Sequence, residues 1–131
     1  MVRTCRAYLD VTSQIWTPET ITNRIGLQAD RLWERGSLAR PQARYPRQFH
    51  GWELASTAEA SEPVGAHVKS IISRLGGAVG SVRGLSAQRD SVTVKLWVQL
   101  EGSWPGISLP SETLQDIGSL GCPLELTWRR R

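Results

Sequence analysis

The sequence predicts an α+β domain, a mainly antiparallel sheet with helices packed on one face. Segments of alternating apolar and polar residues recur along it, stretches with apolar residues at helical spacing separate them, and proline and glycine mark the joins. With 131 residues the chain can bury a core without disulfides or metal, so residues 1–131 are read as a single domain. A hydrophobic content of 40% against 21% charged residues is too apolar for a disordered chain.

The first strand is read from Cys5, Ala7, Leu9 and Val11 alternating with Arg6, Tyr8 and Asp10. After Trp16, the run Thr17-Pro18-Glu19 supplies an N-cap, a first-turn proline and an acid at the positive end of the helix dipole. Ile21 and Ile25 share a face of that helix, and Gly26 can take the left-handed position that ends it.

From Gln28 to His50 neither period persists, and Gly36, Pro41 and Pro46 interrupt the chain, so 28–50 is read as one long basic loop. Its Leu32, Trp33, Leu38, Tyr45 and Phe49 suggest that it packs down. Trp52 and Leu54 alternate with Glu53 as a second strand ending near Ser56. Val64, Val68, Ile71, Ile72 and Leu75 form one helical stripe, with Gly76-Gly77 as its stop. The four glycines from Gly76 to Gly84 read as a flexible turn.

Val92, Val94, Leu96, Val98 and Leu100 alternate through the strongest strand signal in the chain, placed centrally in the sheet. Ile107 and Leu109 can form a short edge strand. Ser111 is read as an N-cap, Leu114, Ile117 and Leu120 as the buried face of a last helix, and Gly121 as its end. Leu124, Leu126 and Trp128 finish as a strand. Trp16-Thr17-Pro18-Glu19-Thr20-Ile21 is echoed by Leu109-Pro110-Ser111-Glu112-Thr113-Leu114, which is compatible with a duplicated ferredoxin-like β-α-β arrangement or with helix-start chemistry used twice.

The net charge of +4 is unevenly spread. Asp30 to Phe49 carries five arginines against Asp30 and Glu34, and Arg129-Arg130-Arg131 adds a second basic cluster. Such clusters point to an anionic partner, either an acidic protein surface or nucleic acid. No apolar run is long enough to span a bilayer and the N-terminus lacks a signal-peptide core, so a cytoplasmic protein without membrane contact is expected. Cys5 and Cys122 read as small buried residues, with adjacency in the sheet open to them, and not as a disulfide framework.

Motifs for catalysis or metal binding do not emerge. His50 and His67 are the two histidines, and neither sits in a nucleophile–base signature. The cysteines lack the close pairing that zinc ligation uses, and no lysine-serine or lysine-threonine step follows the glycines as a phosphate loop requires. No catalytic residue, metal or cofactor is therefore assigned. Trp97 lies out of phase with the apolar side of its strand, which calls either for a cover, with segment 28–50 the favoured one, or for a contact role.

Ile25-Gly26-Leu27, then Trp33-Glu34-Arg35-Gly36, then Gly51-Trp52-Glu53-Leu54-Ala55-Ser56 before an amphipathic helix resembles the bacterial family called domain of unknown function 4279. The likeness covers a G-L turn after the first helix, a W-x-x-G step and a G-W-x-L-x-S strand. Gln28-Ala29-Asp30 lacks the proline that usually follows the G-L pair. The resemblance implies a small bacterial protein and no reaction.

The leading expectation is a non-enzymatic binding module, with an immunity-type protein as one biological version. Arg31, Arg35, Arg40, Arg44 and Arg47 would meet acidic groups of a partner protein, and Trp33, Tyr45, His50 and Trp52 would supply contact area, although Trp52 also begins a strand. Nucleic-acid binding by the same arginines and rings is the first alternative. A small-ligand sensor or enzyme with a pocket near His50 is the second. Oligomeric state is not legible from the sequence.

Overall fold

The computed structural model describes residues 3–129; Arg130 and Arg131 of the basic tail lie outside them. Alternation in β1 (Thr4–Ser13) sets the layers: Cys5, Ala7, Leu9, Val11 and Ser13 are buried, and Arg6, Tyr8, Asp10 and Thr12 occupy the opposite face. β4 (Thr93–Glu101) repeats the pattern and runs antiparallel to β1, with Leu96 opposite Leu9 and Val94 opposite Val11. β3 (His50–Ala55) flanks β1 on its other side, also antiparallel. β2 (Arg31–Trp33) pairs with β3, and β5 (Leu124–Arg129) pairs with β4, giving the order β2-β3-β1-β4-β5.

The helices cover one side of this sheet. α1 (Pro18–Ile25) is capped by Thr17, whose Oγ1 accepts the Thr20 N–H at 3.2 Å, and ends at Gly26 with φ +80°. α2 (Val64–Leu75), α3 (Val79–Ser86) and α4 (Ser111–Leu120) bring Val68, Ile71, Val82 and Leu120 into one core with Leu9, Leu54 and Leu96. Each such side chain contributes about 1.5–3 kcal/mol through burial. Among the described residues no helix is long and apolar enough to cross a membrane.

Several local expectations are corrected. The 28–50 segment contains the short strand β2, because Asp30 anchors its start to β3. The glycine run is not a flexible turn: after a bend at Gly76 (φ +53°) and a 3-10 turn at Gly76–Ala78, α3 proceeds through Gly80 and Gly84, held by buried Val82 and Leu85. Burial overrides the weak helix propensity of glycine there. Ile107 and Leu109 pack on the core as irregular chain and form no strand. Pro110, not Ser111, occupies the N-cap position of α4, without a side-chain capping hydrogen bond, and the buried face is Thr113, Ile117 and Leu120, leaving Leu114 53% exposed.

The echo at the two helix starts does not mark equivalent halves. β1 and β3, on either side of α1, are antiparallel neighbours, whereas β4 and β5, on either side of α4, are parallel neighbours. Cys5 and Cys122 are not adjacent: Cys5 pairs with Leu100, and Cys122 lies near the other end of β4, beside the Pro123 carbonyl that accepts from Leu96. Burial pushes the Cys5 thiol up to about 11.

Trp97 lies on the helix-free face. Its ring stacks on Tyr8 at 5.2 Å between centroids and its Nε1–H donates to Thr127 Oγ1 at 2.9 Å. Neighbours within the sheet support it, where segment 28–50 was the favoured cover; β1 and β3 stand between β4 and β2.

Candidate functional site: the Trp33 platform and its groove

Asp30 fixes where the basic segment leaves the fold. Its N–H donates to the Glu53 carbonyl at 2.9 Å, and its carboxylate accepts from the Ala55 N–H at 2.7 Å and from Arg74 Nη2 of α2 at 2.9 Å. The Arg74 hydrogen bond holds the Asp30 carboxyl below the usual range. One of the two acids set against the five arginines is thus already neutralised from outside the segment.

From that anchor β2 carries Arg31 and Trp33 on one face of the sheet and Leu32 on the other. The Trp33 indole lies on the backbone of Gly51, where a methyl group would overlap the ring. The guanidinium carbons of Arg31 and Arg47 stand 5.4 and 5.2 Å from the Trp33 ring centroid. Such cation–π contacts contribute about 0.5–1 kcal/mol each at exposed sites. The result is a half-buried aromatic ring with cations at its borders.

Beyond Trp33 the chain makes a loop closed at its neck. Gly36, at φ +89°, donates its N–H to the Arg47 carbonyl, and the Arg47 N–H donates to the Ser37 carbonyl, both at 2.8 Å. Residues 38–46 form the loop between, a compact surface excursion with neighbouring ends. Of the apolar residues expected to pack it down, Leu32 is 48% exposed, Leu38 50% and Tyr45 74%. Phe49 is also exposed. Short-range hydrogen bonds hold this segment more than burial does.

A groove of about 560 Å³ separates the loop from the start of α1. Thr17, Pro18 and Glu19 form one wall; Leu32, Trp33, Leu38 and Arg47 form the other, with Glu34 and Ser37 at the turn. It is apolar along one side and carries charge of both signs.

The predicted site residues are distributed as follows. Arg31, Trp33 and Arg47 meet at the platform, Arg31 also pairing with Glu53 at 3.7 Å. Arg35 is exposed, its Nη1 reaching the Gln14 carbonyl at 3.4 Å. Arg40 and exposed Tyr45 lie in the loop, where Arg44 sits 5.9 Å from the Tyr45 ring centroid. His50 accepts the Arg35 N–H on Nδ1 at 3.0 Å and is absent from the groove lining. Trp52 is fully buried on the opposite side of the sheet, its Nε1–H donating to the Leu27 carbonyl at 3.2 Å; the alternation of β3 makes it core, not contact surface. Among the described residues, the ion pairs engage Arg31 but not Arg35, Arg40, Arg44 or Arg47.

Sequence reasoning missed three features. The α1 start as a groove wall depends on tertiary placement. Gly51 as the seat of Trp33 was foreshadowed only by the glycine itself. The third is a carboxyl pair on the helix-free face, Asp10 and Glu53, which only strand register reveals. Among the described residues no group of three or more histidine, cysteine, aspartate or glutamate side chains is placed to hold a metal ion.

A family model described as a domain of unknown function (DUF4279) matches residues 3–128. The chain belongs to this family. The segments that carried the resemblance to DUF4279 converge in space: Leu27 accepts from Trp52, and Trp33 rests on Gly51. Comparison with curated proteins and with solved structures gave no match.

Proposed function

We propose that this DUF4279 protein is a non-enzymatic interaction module whose 31–47 segment receives an acidic stretch of a partner protein bearing an apolar anchor. The observation that carries this reading is the Trp33 platform beside an open groove, with four arginines of the segment outside any ion pair among the described residues. Leu32, Trp33 and Leu38 offer an apolar wall to the anchor, and Glu19 and Glu34 disfavour an acid inside the groove. The acids belong on the rim, against Arg35, Arg40 and Arg44, where guanidinium groups can make bidentate contacts. An immunity-type role is one form such recognition takes, and a cytoplasmic setting suits it.

The test is selection of random peptides on the purified chain. Sequences with an aromatic or aliphatic residue flanked by aspartate or glutamate are expected. Their affinity falls about tenfold in the double variant Arg40→Glu/Arg44→Glu, and also in Leu38→Asp. Enriched peptides without acids, or binding indifferent to both changes, would overturn the reading. So would salt-sensitive binding of DNA or RNA in place of acidic peptides, which is the nucleic-acid alternative.

A further inference from the structure

We propose that β5 is a self-complementary edge and that two copies of the chain join through it, antiparallel about a two-fold axis at Thr127. Among the described residues β5 forms one border of the sheet and pairs only with β4. The Leu96 N–H donates to the Pro123 carbonyl and the Gly102 N–H to the Arg129 carbonyl, both at 3.1 Å. In a strand, neighbouring residues turn their backbone groups to opposite sides. The odd-numbered residues of β5 therefore face β4, and Leu124, Leu126 and Trp128 present theirs outward. Among the described residues no hydrogen bond takes up the outward groups of Leu126 or Trp128.

The side chains of this edge combine two exposed apolar residues, Leu126 and Trp128, with two charges of opposite sign, Glu125 and Arg129. Natural edges are blunted by charge, proline, bulges or short length. β5 has six residues, and Leu126 and Trp128 are 42% and 44% exposed on its helix-bearing face. The Trp128 indole is tied down, its Nε1–H donating to the Gly102 carbonyl at 3.1 Å, so it is presented in a fixed position. The opposite edge, β2, has three residues and lacks the length for a comparable ladder.

One register satisfies backbone and side chains together. Centred on Thr127, Leu126 of one copy opposes Trp128 of the other, and these are residues whose backbone groups point outward, so each pair exchanges two hydrogen bonds. The two apolar side chains cover each other. On the helix-free face Glu125 opposes Arg129 of the second copy in a non-hydrogen-bonded pair, the spacing at which side chains approach most closely. Symmetry makes that opposite-charge pair twice. Centring on Leu126 or on Trp128 instead keeps the backbone match but sets Glu125 or Arg129, respectively, against Thr127. Because the axis is two-fold, the assembly closes at a dimer.

Sedimentation velocity across a concentration series tests this. The wild-type chain is expected to show a monomer–dimer equilibrium. Glu125→Arg alone and Arg129→Glu alone each set like charges opposite at both pairs and raise the dissociation constant about tenfold. Mixing the two single variants sets opposite charges against each other again and restores dimer as a heterodimer. Arg129→Glu leaves the Lys95–Glu125 ion pair in place, and thermal unfolding of each variant reports whether the fold is intact. A wild-type monomer at every concentration, a dimer insensitive to both reversals, or a mixture that stays monomeric would each overturn the proposal.

Discussion

Asp10 and Glu53 face each other across the β1/β3 ladder on the helix-free side of the sheet, two carboxyl groups in directly opposed positions. Glu53 is 7% exposed, and Asp10 Oδ1 is buried without a hydrogen-bond partner. Arg31 opposes Glu53 from β2 and Lys95 opposes Asp10 from β4, so the row across four strands reads cation, acid, acid, cation. Burial, followed by the adjoining Glu53 carboxyl, pushes Asp10 up to about 8; Lys95 and Arg31 offset this in part. At neutral pH Asp10 keeps its proton, because burial beside a neighbouring carboxyl disfavours its ionised form.

That proton sets a pH dependence. A carboxyl raised in the folded state binds more protons there than in the unfolded chain between its ordinary value of 3.8 and about 8. Stability is then lost as pH rises through this window. Asp10→Asn supplies a permanent N–H donor to Glu53 and removes the titration. The expected result, read by denaturant unfolding at pH 5 and pH 8.5, is that the wild type loses about 1–3 kcal/mol between the two and the variant loses clearly less; solvent screening of half-buried Asp10 keeps the figure below the full shift. Equal losses would remove the Asp10 proton from the account.

His67 gives the opposite slope. It is 1% exposed in α2, and Ser56 Oγ lies 2.8 Å from its Nδ1. Ser56 Oγ also accepts the Ala58 N–H, and His67 Nε2 is buried without a hydrogen-bond partner among the described residues. Burial lowers the His67 pKa, with the Glu59 and Glu62 carbonyls partly offsetting it. Its contribution is complete above about 6.5 and is lost as pH falls. His67→Gln is expected to destabilise by about 1–2 kcal/mol at pH 7.5 and by less at pH 5, in chemical unfolding at the two values. A gap that widens in acid would contradict the neutral buried imidazole.

Four of the five strands and three of the helices were legible because their signals are local. Alternation in 5–11 and 92–100 and the stripe from Val64 to Leu75 each follow from burying one face. What escaped depended on contacts distant in sequence. α3 runs through glycines because the sheet holds Val82 and Leu85, and Leu114 is exposed because α4 is turned to bury Thr113. The platform was half legible: Trp33 and the arginines stood out by composition, but Trp52 was included with them although alternation sends it inward. The carboxyl pair needed the register of β1 on β3, which no single segment encodes.

The Asp30–Arg74 pair ties the platform segment to α2. Arg74 Nη1 also donates to the Ala55 carbonyl at 2.6 Å, so one guanidinium joins the start of the basic segment to the end of β3. Arg74→Met removes these contacts while retaining length. A loss of about 1 kcal/mol is expected, modest because both side chains remain about one-third exposed. Asp30 is held below its ordinary pKa, so its contribution is present at neutral pH and is lost as pH falls below the carboxylate range. Faster amide exchange in residues 31–36 of the variant, at unchanged exchange in α4, would locate the effect; uniform acceleration would deny the local role.

Gly51 is the position at which the fold and the proposed contact surface are coupled. Its backbone lies against the Trp33 indole, and a methyl group there has no room unless the ring moves. The ring is a side chain near a sheet edge, so Gly51→Ala is expected to displace Trp33 instead of unfolding β3, at about 1–3 kcal/mol. Displacement separates the indole from Arg31 and Arg47 and opens the groove wall it forms. Trp33 fluorescence, isolated against a Trp33→Phe control, should shift toward the emission of a hydrated indole, and acidic-peptide affinity should fall with it. Retained affinity with a shifted Trp33 would separate the arginines from the ring and reduce the platform to a structural prop.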